Sequence, residues 1–251
     1  MNIPQELIDK IIDGIWDADD SPSHAATRAA SLISRSWVDR SQHHLFHDIK
    51  FSCDDLRWCD AVPPDPNGVL RHVRSLTIQA SGIDGWWIDK SSLEHALPYF
   101  NSFRDIQVLR VQNWDIDPFP SELLARCFAP FAGGVRLLQW DPYQNTSREA
   151  WIHIVGLFPL VDFLLLSPNS FPTGLLSGTP AGPDRKKLIL SGYYAARCLA
   201  WGGVRPRFRE IYIRFGLGTS LQTLIAIVNG AADRLEILSI AETSAGRTFS
   251  V

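Results

Sequence analysis

Three histidines close together, His43, His44 and His47, are the first residues in this sequence whose type and spacing suggest chemistry. His43 and His47 stand four apart, the spacing that places two imidazoles on one helix face as zinc ligands. No Glu follows His43 and no third ligand is near, so the set reads as helix-surface histidines. Cys53, Cys59, Cys127 and Cys198 contain no Cys-x-x-Cys pair and read as reduced, buried thiols of an intracellular protein. Gly216 and Gly218 follow an apolar run, as in nucleotide-binding turns, but Leu221 fills the third small position and no acidic residue follows in strand context. Asp17, Asp19 and Asp20 lack the calcium-loop spacing and its terminal Glu, and read as a solvated loop. No Gly-x-Ser-x-Gly elbow, phosphate-binding loop or catalytic-cysteine signature occurs. The expectation is therefore a binding protein, not an enzyme, with no cofactor and no metal.

Composition narrows the partners. The chain carries a net charge of −3 and 24 Lys and Arg residues with no basic run, which argues against nucleic acid as a ligand. No apolar stretch approaches the roughly 18 residues of a membrane span, and MNIPQELIDK lacks the basic-then-apolar layout of a secretory signal. An intracellular address, cytoplasm or nucleus, is expected.

Residues 1–50 read as three short helices. Pro4 suits a first helical position, Glu6 lies in the first turn, and Leu7, Ile8, Ile11, Ile12 and Ile15 recur at helical spacing. A second helix is expected from Ser21-Pro22 through AATRAASLI. A third covers SRSWVDRSQHHLF, with Ser34 or Ser36 as its cap. Fifty residues with so many large aliphatics cannot hide them all in a core of their own. Part of that surface must meet another body.

The ordered pattern Ile-Pro-x-Glu-Leu-Ile-x-x-Ile-Ile, an acidic loop, then Ala-Ser-Leu-Ile-Ser-Arg-Ser-Trp and His-Leu-Phe resembles an F-box, particularly those of fungal proteins, over residues 3–50. Ala30 and Ser34 stand where many fungal relatives have Cys, but no large apolar anchor is lost. The resemblance implies docking on a Skp-family adaptor and, through it, membership of an SCF-type cullin ubiquitin ligase. It would place Pro4, Leu7 and Ile8 on the adaptor-facing surface, with Ile11 continuing the stripe. Leu32 and Trp37 would contribute from partly within the module core.

Residues 51–251 carry a recurring apolar-x-apolar strand core. Its runs end at Ile78, Val111, Trp140, Leu166, Leu190, Ile213 and Ile240, at intervals of 23 to 33 residues, and IKF ending at Phe51 extends the series. Helical patterns lie between them, most clearly SSLEHALPYFNSF, SELLARCFAPF, SREAWIHIVGLF and SLQTLIAIVNGAA. Strand, helix and strand at this interval imply parallel pairing through crossovers. The Leu-x-Leu core and the period resemble a leucine-rich repeat of irregular kind, since only Asn169 falls on the family's asparagine ladder. The expected fold is α/β, a three-helix F-box-like module followed by a leucine-rich-repeat-like solenoid with a parallel sheet.

With Leu-x-Leu pairs turned inward, the intervening residues line the open face of the sheet. Leu165, Ile189 and Tyr212 fall side by side there, with Arg214 at the edge and Arg110 in the more polar early strands. An apolar-aromatic patch edged by Arg has the chemistry of a protein-binding hot spot, and these five are the candidate residues for an unknown protein target. Trp140 and Trp151 read as core, whereas Trp86, Trp87 and Trp114 fall in turns between repeats. After Ile240 no helix covers the last strand. Either AETSAGRTFSV folds back over that edge, another chain covers it, or the sequence is incomplete there. Taken together the expectation is a substrate-recognition subunit of a ligase. The alternative is an interaction protein that binds the adaptor without promoting ubiquitination.

Overall fold

Apolar residues at helical spacing start the chain, and the computed structural model forms helices there: α1 (Gln5–Asp17), α2 (His24–Ser31) and α3 (Arg35–Phe46). The structure describes residues 4–17, 24–52, 64–80 apart from 66, 90–142 apart from 115, and 153–166 apart from 155 and 159. It further describes residues 187–191, 209–215, 235–242 and 248–250, and the single helical positions 222, 225 and 229. α3 touches both α1 and α2, and Ile8, Ile12 and Ala30 are buried in the module. Ser34 occupies the cap position of α3, but its hydroxyl shares a 2.6 Å hydrogen bond with the Ser36 hydroxyl and makes no side-chain bond to the helix N-terminus.

A polar clasp fixes the module. Arg40 donates through Nε and Nη2 to the two carboxylate oxygens of Asp13 at 2.7 and 2.8 Å, and His44 Nε2 lies 2.7 Å from Oδ1. The Arg40 guanidinium holds the Asp13 carboxyl down at about 2, with His44 helping. That lowered value makes the clasp fully effective above the ordinary carboxylate range near 4 and progressively lost as pH falls toward 2. Both partners are partly solvated, so Asp13→Asn should cost only about 1 kcal/mol. Comparing the thermal melts of wild type and variant at pH 7 and pH 2.5 checks this, since the difference should shrink in acid.

α3 runs almost directly into the first strand, so the sheet begins inside the segment assigned to the helical module from sequence. Among the described residues nine strands follow: β1 (Asp48–Ser52), β2 (Ser75–Gln79), β3 (Val108–Trp114), β4 (Leu137–Pro142), β5 (Phe163–Leu166), β6 (Lys187–Ser191), β7 (Glu210–Phe215), β8 (Ile237–Glu242) and β9 (Thr248–Ser250). They pair in sequence order within one sheet. β1 to β8 are parallel, and β9 returns antiparallel to β8, so the chain does fold back over that strand. Every strand core read from the sequence lies in its strand. This is an irregular, leucine-rich-repeat-like solenoid.

The crossovers include a 3-10 turn at Val69–His72 and the helices α4 (Lys90–Phe100) and α5 (Ser121–Ala132). Residues 153, 154, 156 and 157 are helical as expected, whereas most of 220–232 lies outside the described residues. The early repeats are locked one to the next at the entry to the strand. The carbonyls of His47, Arg74, Gln107 and Arg136 each accept two N–H groups from the residues that begin the following strand. Gly134 permits the tight turn into β4, since a Cβ there would lie 2.9 Å from the Ile106 carbonyl oxygen.

The core sits between the inward sheet face and the crossovers. Leu76, Leu109, Leu138, Leu164, Leu188 and Ile211 form one buried row in register, and Ile78, Val111 and Trp140 a second. Aromatic rings fill the space beneath α4 and α5. Phe128 meets Trp114, Phe131 and Phe158 at centroid distances of 6.1, 6.1 and 5.7 Å. Trp114 belongs to this core and not to a turn, as its sequence position suggests. Asn113 takes φ 54 and the pairing slips between Gln112 and Trp114, so the bulge turns the indole inward one residue out of phase.

Candidate functional site

Two surfaces emerge from this frame. The first is on the helical module. α1 buries Ile8 and Ile12, which leaves Leu7 51% and Ile11 45% exposed on the other side of the apolar stripe. Leu32 and Ile33, in the turn after α2, are 86% and 63% exposed. Gln5 Nε2 donates to the Ser36 carbonyl at 3.0 Å, which brings the start of α1 against the start of α3. Leu7, Leu32 and Ile33 therefore share one end of the module. Pro4 is exposed beside them and Trp37 is partly buried.

Two sequence assignments change here. Ile8 is a core residue at 4% exposure and not part of an accessible surface. Leu32 stands almost fully in solvent instead of partly in the core. Both follow from where α3 packs, because a broad stripe on one helix does not say which of its edges the neighbour covers.

The second surface is the open face of the sheet. In register, its middle row reads Lys50, Thr77, Arg110, Gln139, Leu165, Ile189 and Tyr212. The alignment of Leu165, Ile189 and Tyr212 is as the sequence indicates, but the patch is not open. Leu165 and Ile189 are 1% and 2% exposed, although neither belongs to the main core. Alternation placed them on the right face without saying that the face is covered there. Residues 167–186, which follow Leu165 in the chain, lie outside the described residues.

Tyr212 remains partly exposed, and its hydroxyl donates to Glu210 Oε2 at 3.4 Å. Burial raises the Tyr212 phenol, with the Glu210 carboxylate adding to the shift. Arg214 lies on β7, but the described structure does not extend to its side chain. Arg110 is tied down, donating to Ser75 Oγ at 2.6 Å with Asp48 at 3.9 Å. The partly exposed apolar residues on this face lie two positions earlier in the strands. Val108, Leu137 and Phe163 are register neighbours across β3, β4 and β5. The sequence carried this signal, since each stands two residues before a middle-row position.

The histidines form a cluster that extends beyond α3. His43 packs edge-on against His44, His47 and His72, at ring distances of 5.5, 5.6 and 6.1 Å. A cleft of about 370 Å³ opens beside it, lined in part by Asp9, Arg35, Asp39 and His72. No group of His, Cys, Asp or Glu among the described residues has a metal-holding arrangement. Cys127 is buried and its thiol is pushed up to about 12 by that burial, so it is an unreactive packing group. Cys53, Cys59, Cys198, Gly216, Gly218, Asn169, Trp86, Trp87, Trp151 and the Asp19–Asp20 pair lie outside the described residues. Among the described residues no helix is long and apolar enough to cross a membrane.

No protein-family model matches the chain, and no curated protein matches it. Its fold is similar to the leucine-rich repeat-containing protein LegL7 from Legionella pneumophila, at 12% identity and a TM-score of 0.39 over 83% of this chain and 71% of that one. It also aligns with a chain in the yeast Rad7 and Elc1 complex, at 10% identity and a TM-score of 0.28 over 97% of this chain and 90% of that one. Neither likeness is deep enough to carry a functional argument.

Proposed function

We propose that this protein is a non-catalytic receptor in which the helical module docks on a Skp-family adaptor of a cullin ubiquitin ligase and the solenoid holds a protein target. The observation that supports it is the exposure of Leu7, Leu32 and Ile33 at one end of a module with a small core. Large aliphatics concentrated at one end of a small unit are the usual mark of a protein interface. The setting of Leu7 and Ile11 on α1 suits a helix-in-groove contact with a partner, with the turn residues Leu32 and Ile33 beside it. The ordered F-box-like pattern from Pro4 to Trp37 gives the partner its identity in this reading. Catalysis would belong to the other ligase subunits, and this chain would contribute proximity.

Co-expression with a Skp-family adaptor tests the proposal directly. A stable complex should purify, and failure of the full chain to bind would end the reading. Ubiquitination of a captured target then separates a ligase receptor from an interaction protein that binds the adaptor alone.

The target surface is assigned to Val108, Leu137 and Phe163, with Arg110 beside Val108 on β3 and Tyr212 further along the same face, two strands beyond Phe163. Phe163→Ala and Tyr212→Ala should each weaken target capture by about tenfold or more, the effect of removing an aromatic anchor. Quantitative mass spectrometry of proteins crosslinked to tagged wild type and variants, at equal adaptor recovery, provides the readout. An unchanged set of crosslinked proteins would remove this face from consideration.

A further inference from the structure

The junction between the helical module and the first repeat is built from titratable groups. α3 presents Asp39 and His43 toward it, His47 follows at the end of that helix, and the 3-10 turn supplies Arg71 and His72. Arg71 donates to the Asp39 carboxylate, and His72 Nε2 lies 3.5 Å from the same oxygen. The His43 and His72 rings meet across the junction. We propose that the His43–His72 ring contact is an acid-sensitive latch, which holds the helical module on the first repeat at neutral pH and loosens it as these two imidazoles take up protons.

The reason lies in how the charges around His43 are committed. Asp13 on α1 is bound to Arg40 and His44, Asp39 to Arg71, and Asp48 on β1 to His47. Asp9 on α1, which lines the same cleft, accepts from Gln5. A proton on His43 would therefore meet Arg40 and three other imidazoles with no carboxylate of its own. Arg71 and Arg74 stand against His72 in the same way, with Asp39 opposing them.

Burial lowers the His43 imidazole to about 4, with Arg40 and the neighbouring histidines adding to the shift. His72 is lowered too, chiefly by burial, against the pull of Asp39. Each histidine is thus held neutral in the closed junction and would regain its ordinary value near 6.5 once the junction opened. The sign follows. Closure is fully favoured above pH 6.5 and is progressively lost as pH falls from there toward 4. The cleft beside His43 gives water, and so protons, access to both rings. This latch does not depend on the identity of any adaptor.

Hydrogen exchange of the full chain at pH 7.5, 6 and 5, corrected for intrinsic rates, tests the latch. Protection in α3 and at Val69–His72 should fall by about tenfold between pH 7.5 and 5, while β2 to β4 keep theirs. His43→Phe with His72→Phe keeps two rings at the contact and removes both protons, so its junction protection should stay flat with pH. Equal loss in the double variant would overturn the latch, as would loss spread evenly into β2 to β4. Proton NMR titration of the wild-type histidines covers the case in which the variant does not fold. His43 titrating near 6.5 refutes the latch, and a value well below that upholds it.

Discussion

Replacing Phe128 with alanine is expected to lower the stability of the solenoid by about 3–5 kcal/mol, the largest loss expected from a single core truncation here. The ring is fully buried and sits where three repeats meet, touching Trp114 from the β3 repeat, Phe131 on its own helix and Phe158 from the following crossover. Its removal takes away the transfer energy of the ring and leaves a cavity whose other walls are also rings. Those rings are tied to separate repeats and cannot all close inward. Thermal or urea denaturation measures the effect, and a loss under about 1 kcal/mol would mean that the aromatic layer repacks freely. Leu97, also on a crossover helix but at the edge of the core with 8% exposure, should cost less when truncated. A solenoid transmits such damage to its neighbours, since each repeat is stabilised by the interfaces on either side.

The strands were legible because burial of a parallel sheet needs only alternation. A Leu-x-Leu pair, repeated at crossover length, specifies both the inward row and the register, and β2 through β8 pair accordingly. Three other features were hidden for physical reasons. Trp114 is three residues beyond Val111, so strict alternation turns it outward. Only the left-handed backbone at Asn113 brings it back to the core. Leu165 and Ile189 were placed on the correct face, but alternation carries no information about what lies over a face. His72 joins His43 from a different crossover, and nothing local in either segment announces the contact. The helical module shows the same limit. Leu7, Ile8, Ile11 and Ile12 form one stripe in sequence, and only the position of α3 divides it into a buried edge and an exposed one.

That division makes the decisive experiment on the proposed adaptor contact a comparison of adjacent residues. Leu7→Asp is expected to weaken adaptor binding by at least a hundredfold and leave the fold intact. Leu7 is half-exposed, so in the free chain the new carboxylate stays hydrated and costs little. In a complex it would have to be buried in an apolar contact without a partner, which costs roughly 3 kcal/mol or more. Ile8→Asp places the same charge one residue along, at a position that is already buried in the free module. It should destabilise the module itself, and any lost binding would be accompanied by lost helical signal in circular dichroism. Leu32→Asp, from the other segment at the same end, should behave like Leu7→Asp. Titration calorimetry against the purified adaptor, with circular dichroism on each variant, distinguishes an interface from a core. A Leu7→Asp protein that folds and binds with wild-type affinity would show that this end of the module faces something other than the adaptor.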